Sequence, residues 1–494
     1  MPTKKSFSQL PRTSQDRGKS TDAHLKLPIG RGLRNRRALK ERRTTNHNNT
    51  GECNVTVDRP PRLFAVMQNI GSLYEEMARQ LISTGVWKGI PVKRSHGSSG
   101  GLCLVSNGSP MNHEGFALLL GEKIPAEKFV ATRRLMFGRT EKPCSKKVDN
   151  LNLFGQKSNT LVVNCVESLR CITLKGSMVS TLLEYYSYSW EQLGKYLPRT
   201  FRVFPRKPQS YERDQLIETL QNKSYRDTLW IAKSSSGCHG DDVEIFRSDT
   251  KGLKGLLRYV DTRKESYMWV VQLYIDRPLL YHRRKFDIRC CVLLCADQYE
   301  IYVHEELVMR MSSVEYRLHS ATARTAEGRL AHITNHCVQA EGENFSAFEE
   351  SNELWKEHLD AVIRYKGKRM LGKGIMHDGA NPDLEPSLKN TVLPQIHHII
   401  VETLLAARSS IPGERSPSCT PCFQLFGYDF LIDERLRVWL LEINGSPGTA
   451  ERMITTLVAD TIEIVLMPIF PDTTKSAIHQ KRLTKRNGYL KLFP

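Results

Sequence analysis

FQLFGYDFLIDERLRVWLLEINGSPG, residues 423 to 448, decides how the rest of the chain is read. Two runs of alternating residues flank the charged turn Asp433-Glu434-Arg435, the pattern of a β-hairpin. Acids and an amide interrupt the face that such a hairpin would bury: Asp429, Glu442 and Asn444. Side chains alternate faces along a strand, so Glu442 and Asn444 share a face with Leu440. Directly opposed residues of an antiparallel pair point the same way. A connection of two or four residues therefore puts Asp429 on that face too, whereas a three-residue connection sends it to the other. The even connection predicts three oxygen ligands at one point, a donor set for Mg²⁺ with substrate phosphates completing an octahedron at about 2.0–2.1 Å. The plain alternative makes Asp429 a structural acid and Glu442 a charge associated with the turn.

Composition bounds what this hairpin belongs to. A chain of 494 residues has room for two to four domains, and 40% apolar with 25% charged residues is a soluble globular composition. No apolar run approaches the ~20 residues of a membrane span, and the N-terminus lacks the layout of a secretory signal. Twelve scattered cysteines, some inside apolar runs such as Cys290-Cys291, suit reduced thiols and a cytoplasmic location. The net charge is +19, and residues 1–60 hold 14 Lys/Arg against 5 Asp/Glu. That segment is rich in Ser, Thr, Asn and Pro and reads as a disordered basic arm. Such an arm is either a solvated tail or a contact for an acidic polymer. The rest of the chain is also basic, and residues 473–494 read as a basic tail. No zinc-finger or RNP-like motif accompanies the charge, so nucleic acid is not the expected partner.

Ordered structure is expected from Arg62. RLFAVM reads as a strand, and SLYEEMARQLISTGVW as a helix with apolar residues at 73, 77, 81 and 82. FALLL (116–120) and TLVVN (160–164) read as further strands, and LKGSMVSTLLEYY (174–186) as a helix. Residues 93–113, rich in Gly, Ser and Asn, read as a loop or insertion, and 366–390 as a surface insertion. The expected organisation is a small α/β domain over 61–169, a central unit over 170–278 and a larger one over 279–472.

Several segments add polar groups to the hairpin. TLWIAKSSSGCHGDDVEIF (228–246) is strand, Gly/Ser loop, strand, with Lys233 ending the first strand and Gly237 and Gly240 allowing backbone N–H groups to approach a phosphate. It is not a Walker loop. MWVVQLYIDRP (268–278) is a strand leaving its core at Gln272, able to offer backbone edges to an adenine or to serve as an ordinary strand exit. RRKFDIRCCVLLCA (283–296) sets Lys285, Asp287 and Arg289 on one face and Phe286 and Ile288 on the other. Three charges at the start of a buried strand need partners, which a polyphosphate and its metal would provide; an edge strand facing solvent is the alternative. Arg310 and Asn335 are the further polar candidates, in ELVMRMSS and HITNHCVQ. Cys419-Thr-Pro-Cys422 has neither the strand-to-helix context of a redox site nor a second pair for zinc.

WIAKSSSG, QLYIDRPLL, RKFDIR, HITNHCVQ, FQLFGYDF and WLLEINGSP, in this order, resemble the tubulin–tyrosine ligase-like family of ATP-grasp enzymes. The resemblance runs from about residue 62 to Pro471. Within the family it is nearest to the tyrosine-adding branch, through Gln424 and Phe426, His336-Cys337, and Gly445, positions where glutamylases and glycylases usually differ. It implies an ATP-grasp fold, with ATP held between two α+β lobes and a carboxylate joined to an amine through an acyl phosphate. By analogy, Asp429, Glu442 and Asn444 would hold Mg²⁺, and Lys233 and Lys285 would neutralise phosphates. Gln272, Leu273, Tyr274 and Ile275 would line the adenine, with Asp287, Thr334 and Asn335 completing the nucleotide pocket. Arg289, Arg310 and Lys175 would grip the acceptor peptide, the incoming amino acid or phosphoryl groups. The implied substrates are the acidic C-terminal tail of detyrosinated α-tubulin and free L-tyrosine, in a cytoplasmic, cytoskeleton-associated setting. Two departures stand out: His239, Asp241 and Asp242 occupy a loop where the resembled enzyme has a Lys and a Gly-Glu-Gly run, and Leu174-Lys175 replaces an Arg-Lys pair. The paired aspartates must face away from a polyphosphate or bind metal.

Overall fold

The computed structural model describes residues 61–67, 72–96, 102–106, 109–110, 116–120, 161–164, 167–475 and 486–494. Short breaks within 167–475 fall at 208, 238–239, 241, 264–266, 319–321, 323, 377–383 and 412–420. The expected arm (1–60), Cys238, His239, Asp241 and Cys419 lie outside the described residues.

The described residues form a mixed α+β structure on two sheets. The larger has 13 strands. Its first members are β1 (Arg62–Met67), β2 (Trp87–His96), β3 (Leu102–Ser106), β4 (Ser109–Pro110), β5 (Phe116–Leu120) and β6 (Val162–Asn164). The smaller sheet follows in the chain, with β7 (Thr200–Val203), β8 (Leu229–Ser234), β9 (Val243–Arg247) and β10 (Trp269–Leu273) in the antiparallel order β7-β10-β8-β9. The large sheet then resumes with β11 (Leu280–Tyr281), β12 (Arg284–Cys295), β13 (Glu300–Glu315), β14 (Glu353–Trp355), β15 (Cys422–Ile432), β16 (Val438–Asn444) and β17 (Tyr489–Phe493). Its order is β14-β13-β12-β15-β6-β5-β1-β2-β3-β4, with β11 beside β12, β16 beside β15 and β17 beside β13. An antiparallel half, β14 to β15, joins a half whose central strands β6, β5, β1 and β2 run parallel. One sheet thus runs through stretches 61–169 and 279–472.

Period-two alternation gives the long strands two different faces. Phe286, Ile288, Cys290, Val292 and Leu294 of β12 join Met309, Met311, Phe426, Tyr428 and Phe430 in a core under the helices Lys175–Tyr185, Lys356–Leu371 and Leu393–Ala407. On the other face Cys291, Leu293, Phe423 and Leu425 pack with the helices Ser72–Ser83 and Glu451–Val465. Farther along that second face stand Lys285, Asp287, Arg289 and Asp429, of the same parity as Cys291, Leu293 and Leu425, with Arg310 the register partner of Asp287. A single sheet face therefore changes from core to charged surface along its strands.

Some expectations need correction. Residues 93–113 are not simply a loop: β2 continues to His96 and pairs with β3, which pairs with β4. The Gly, Ser and Asn residues of this stretch hid the alternation of the short strand in the sequence. The basic run KGKRML is no insertion either, since it completes the helix Lys356–Leu371. In the first helix Leu73, Met77 and Leu81 are buried, but Ile82 is 54% exposed. The basic tail ends in β17, which pairs with β13 along Ile301–His304.

Candidate active site

The hairpin brings Asp429 and Glu442 together by a route different from the expected one. Ile432 pairs with Val438, Leu431 with Trp439 and Phe430 with Leu440, so the connection is Asp433 to Arg437, an odd number of residues. The turn is held by Asp433, whose Oδ1 accepts from the backbone N–H groups of Arg435 at 2.8 Å and Arg437 at 3.1 Å. Its Leu436 takes a left-handed φ of 64° and is fully buried. Carried on without a break, this register would set Asp429 opposite Leu441 and turn Glu442 into the core. The register shifts instead between Asp429 and Phe430, and the next pair is Asp429 with Glu442. Leu441 is the extra residue of a β-bulge, which re-aims the chain beyond it. Leu440 consequently lies in the core with Phe430, not on the face of Glu442, while Leu441 joins Glu442 in lining a cavity.

Opposite the acids, a row of aromatic side chains fixes β15. Tyr428 and Phe430 stack at 6.0 Å between ring centroids, and the Tyr428 hydroxyl is 3.0 Å from Thr403 Oγ1. On the acid side, Arg289 donates from Nε and Nη2 to the two Asp429 oxygens, both at 2.7 Å. Gly427 lets this happen: a Cβ there would meet Pro447 at 2.7 Å and Arg289 Nε at 3.3 Å. Arg310 donates to Asp287 at 2.6 and 2.8 Å and to Asp429 Oδ2 at 2.9 Å. Thr334 adds a short hydrogen bond to Asp287. Asn444 Nδ2 lies 3.3 Å from both Asp429 Oδ2 and Glu442 Oε1.

The helix Lys175–Tyr185 starts beside the loop after β8, where Ser235 accepts from Lys175 N through its carbonyl and from Gly176 N through Oγ. Gly176 permits the approach, since a Cβ would lie 2.5 Å from the Met268 sulfur. Lys175 thereby reaches Glu442 Oε2 at 3.0 Å and the Gly237 carbonyl at 2.8 Å. Burial raises the Glu442 carboxyl, but Lys175, Lys233 and Arg289 outweigh it and hold the group well below the usual carboxylate range. Burial likewise pushes the Asp429 carboxyl up, against the pull of Arg289 and Arg310.

Two lysines line the same cavity as these acids, Lys285 buried and Lys233 half-buried. Lys233 Nζ is 3.3 Å from Gln272 Oε1, and Gln272 Nε2 donates to Thr200 Oγ1 at 2.9 Å. Lys285 Nζ donates to the Tyr274 hydroxyl at 3.1 Å and to the His332 carbonyl at 2.8 Å. Burial pulls Lys233 down to about 8, against the attraction of Glu442. Burial and the charge of Lys233 bring Lys285 to about 7. An anion placed between them would reverse both shifts.

One cavity collects Lys175, Lys233, Gln272, Leu273, Tyr274, Ile275, Lys285, Asp287, Arg310, Thr334, Asn335, Asp429 and Glu442. Arg289 and Asn444 are not part of its lining but bond Asp429 directly. The sequence reading missed His332, Leu431 and Leu441, which also line it. His332 sits inside the quoted HITNHC motif, and its Nδ1 is 2.8 Å from the Tyr274 hydroxyl. Asp242 is 3.8 Å from Arg263 and does not line the cavity. Among the described residues no cluster of three His, Cys, Asp or Glu side chains forms a metal site. Two carboxylates and an amide within hydrogen-bond distance are nevertheless a hard-oxygen donor set that fits Mg²⁺ once the amide turns its oxygen inward.

A model of the "Tubulin-tyrosine ligase family" matches residues 166–477. The chain is 25% identical over 278 residues to "Tubulin polyglutamylase ttll6" of Danio rerio, covering 54% of this chain and 31% of that protein. It is 27% identical over 307 residues to "Probable tubulin polyglutamylase TTLL2" of Mus musculus, covering 60% and 49%. With "Tubulin glycylase 3A" of Drosophila melanogaster it shares 29% over 248 residues, covering 48% and 22%. The matched part spans less than half the length of each of these three relatives. No helix among the described residues is long and apolar enough to cross a membrane.

Proposed function

The chain belongs to the tubulin-tyrosine ligase family, and from that premise we propose that it is an ATP- and Mg²⁺-dependent ligase adding tyrosine to the C-terminal carboxylate of detyrosinated α-tubulin. The observation that carries this reading is one cavity lined by the buried Lys285, the half-buried Lys233 and the acids Asp429 and Glu442, with Asn444 beside both acids just outside the lining. Cations alone would suit a simple anion, and acids alone a free metal. The combination suits a metal-bound polyphosphate.

In this reading the fold is an ATP-grasp fold. Residues 61–169 are its N-terminal α/β domain, 170–278 the central lobe and 279–472 the lobe that carries the hairpin. Lys233 and Lys285 neutralise phosphate oxygens, Gln272 to Ile275 line the adenine, and Asp287, Thr334 and Asn335 close the nucleotide pocket. Asp429, Glu442 and Asn444 would hold Mg²⁺, which supplies charge neutralisation at the phosphates. The γ-phosphoryl group passes to the tail carboxylate, the amine of the free amino acid attacks the acyl carbon, and phosphate leaves with the electron pair of the broken C–O bond. Arg289 and Arg310 orient carboxylate and phosphoryl groups, and Lys175 orders the acceptor side. Positioning and charge supply the rate, with no covalent protein nucleophile.

Support for tyrosine comes from Gln424, Phe426, His336-Cys337 and Gly445. Two of these are joined, since Gln424 Nε2 donates to the Gly445 carbonyl. A second reading, addition of glutamate or glycine, is favoured by the polyglutamylase and glycylase names of the relatives. Incubating the protein with ATP, Mg²⁺, detyrosinated tubulin and labelled Tyr, Glu or Gly in turn separates them. Tyrosine alone supports the first reading, glutamate or glycine the second, and no incorporation leaves a tubulin-binding protein without ligase activity. A tubulin substrate also implies a cytoplasmic, cytoskeleton-associated protein.

A further inference from the structure

We infer that Glu353 binds the α-ammonium group of the incoming free amino acid; the inference rests on the ligase reading above. Asp287, Arg310 and Glu353 are register partners across β12, β13 and β14, so their side chains share one sheet face. Asp287 and Arg310 line the cavity, and Glu353 stands one strand farther out, about 4.8 Å away along the sheet. The Arg310 guanidinium is turned inward: Nε and Nη2 serve Asp287 and Asp429, and its Nη1 has no partner among the described residues. Arg289 is likewise committed, to Asp429 and the Gly448 carbonyl.

Glu353 is therefore an acid beside two arginines that forms an ion pair with neither. Its carboxylate has no hydrogen bond or ion pair among the described residues, although it is partly buried and directly opposite Arg310. Burial raises its carboxyl to about 7, against the pull of Arg310 and Arg289 and with Glu350 adding repulsion. A partly buried, unpaired carboxylate favours a cation as its partner. A free Arg310 Nη1 beside it offers the matching donor for a carboxylate. Anion donor and cation acceptor on neighbouring strands, not touching each other, are complementary to a zwitterion: α-carboxylate on Arg310, α-ammonium on Glu353. An amine held there adjoins the cavity in which the acyl phosphate would form. ATP and the tail carboxylate carry no such cation, so Glu353 would act on the amino acid alone.

The test compares the wild type with Glu353→Gln and Glu353→Asp in steady-state ligation, using whichever of Tyr, Glu or Gly the wild type incorporates. Losing a charge-assisted hydrogen bond raises KM for the amino acid about 10- to 100-fold in Glu353→Gln. KM for ATP should change less than about 2-fold, and Glu353→Asp should recover part of the loss. Hydroxylamine as nucleophile has no cation to bind, so hydroxamate formation from ATP and the tail reports whether the variant is folded and activates the carboxylate. An unchanged amino-acid KM in a variant that still forms hydroxamate overturns the role of Glu353 and leaves the ligase reading intact. Equal rises in KM for amino acid and ATP also overturn it. Absence of hydroxamate and of ligation in the wild type overturns the ligase reading, and the inference with it.

Discussion

Asp429 faces Glu442 across β15 and β16 because Leu441, one residue along, is extruded from the ladder. The neighbouring leucines have opposite duties as a result. Leu440 is fully buried in the core beside Phe430, whereas Leu441 borders the charged cavity.

The two leucines should respond differently to truncation. Leu440→Ala should cost about 2–5 kcal/mol of stability, as buried leucines do. Leu441→Ala should cost less than about 1.5 kcal/mol and should raise KM for ATP. Urea unfolding of both variants checks this. The reverse order of stability losses would mean that the hairpin alternates without a bulge.

Asp429 carries a structural duty besides its place among the acids. Asp429→Ala leaves Arg289 and Arg310 without their shared carboxylate, and breaking such buried pairs costs about 3–5 kcal/mol. Among the described residues Glu442 has one direct ion-pair partner, Lys175, which also reaches the Gly237 carbonyl. Glu442→Gln should therefore abolish turnover with a stability loss of about 1–2 kcal/mol. Activity assays alongside denaturation midpoints separate the two effects.

If the cavity holds a nucleotide as proposed, Lys285 and Lys233 should set the pH dependence of its binding. Lys285 near 7 and Lys233 near 8 are cationic below those values and neutral above them. ATP affinity should accordingly fall as pH rises through about 7 to 9, because each lost proton removes an attraction to phosphate. Bound phosphate raises both lysines and stretches the decline upward. Lys285→Arg, which keeps its charge, should flatten the profile. Calorimetric titration with a non-hydrolysable ATP analogue measures it, and a wild-type affinity independent of pH over this range would contradict the assignment.

Salt should weaken binding of the acidic tail. The chain carries a net charge of +19, and steering by exposed charges is screened beyond roughly 8 Å at physiological ionic strength. Apparent tubulin affinity measured from low to high salt should fall, while ATP affinity, set by buried groups, should change less.

Much of the site was legible in the sequence because period-two alternation carries it. Lys285, Asp287 and Arg289 read directly as one face of β12, and FQLFGYDF as a strand with Asp429 turned from Phe426, Tyr428 and Phe430. The bulge was not legible, because Leu440 and Leu441 are chemically the same and either can be assigned to the core. An even connection was thus required on paper, and the odd one is compensated by Leu441. The Lys175–Glu442 pair joins a helix start to a distant strand, a relationship that local pattern does not encode. Glu353 was overlooked for a similar reason: a three-residue strand has too little alternation to be read, and only its register with Arg310 reveals the face.

The most direct test of the central claim is ADP release and labelled tyrosine incorporation, measured together on detyrosinated tubulin with ATP and Mg²⁺. The wild type should yield one ADP per tyrosine added, and the Asp429→Asn, Glu442→Gln double variant neither. A double variant that still turns over, or a wild type that incorporates no tyrosine, glutamate or glycine, would contradict the assignment of the hairpin face as the wall of an ATP–Mg²⁺ site.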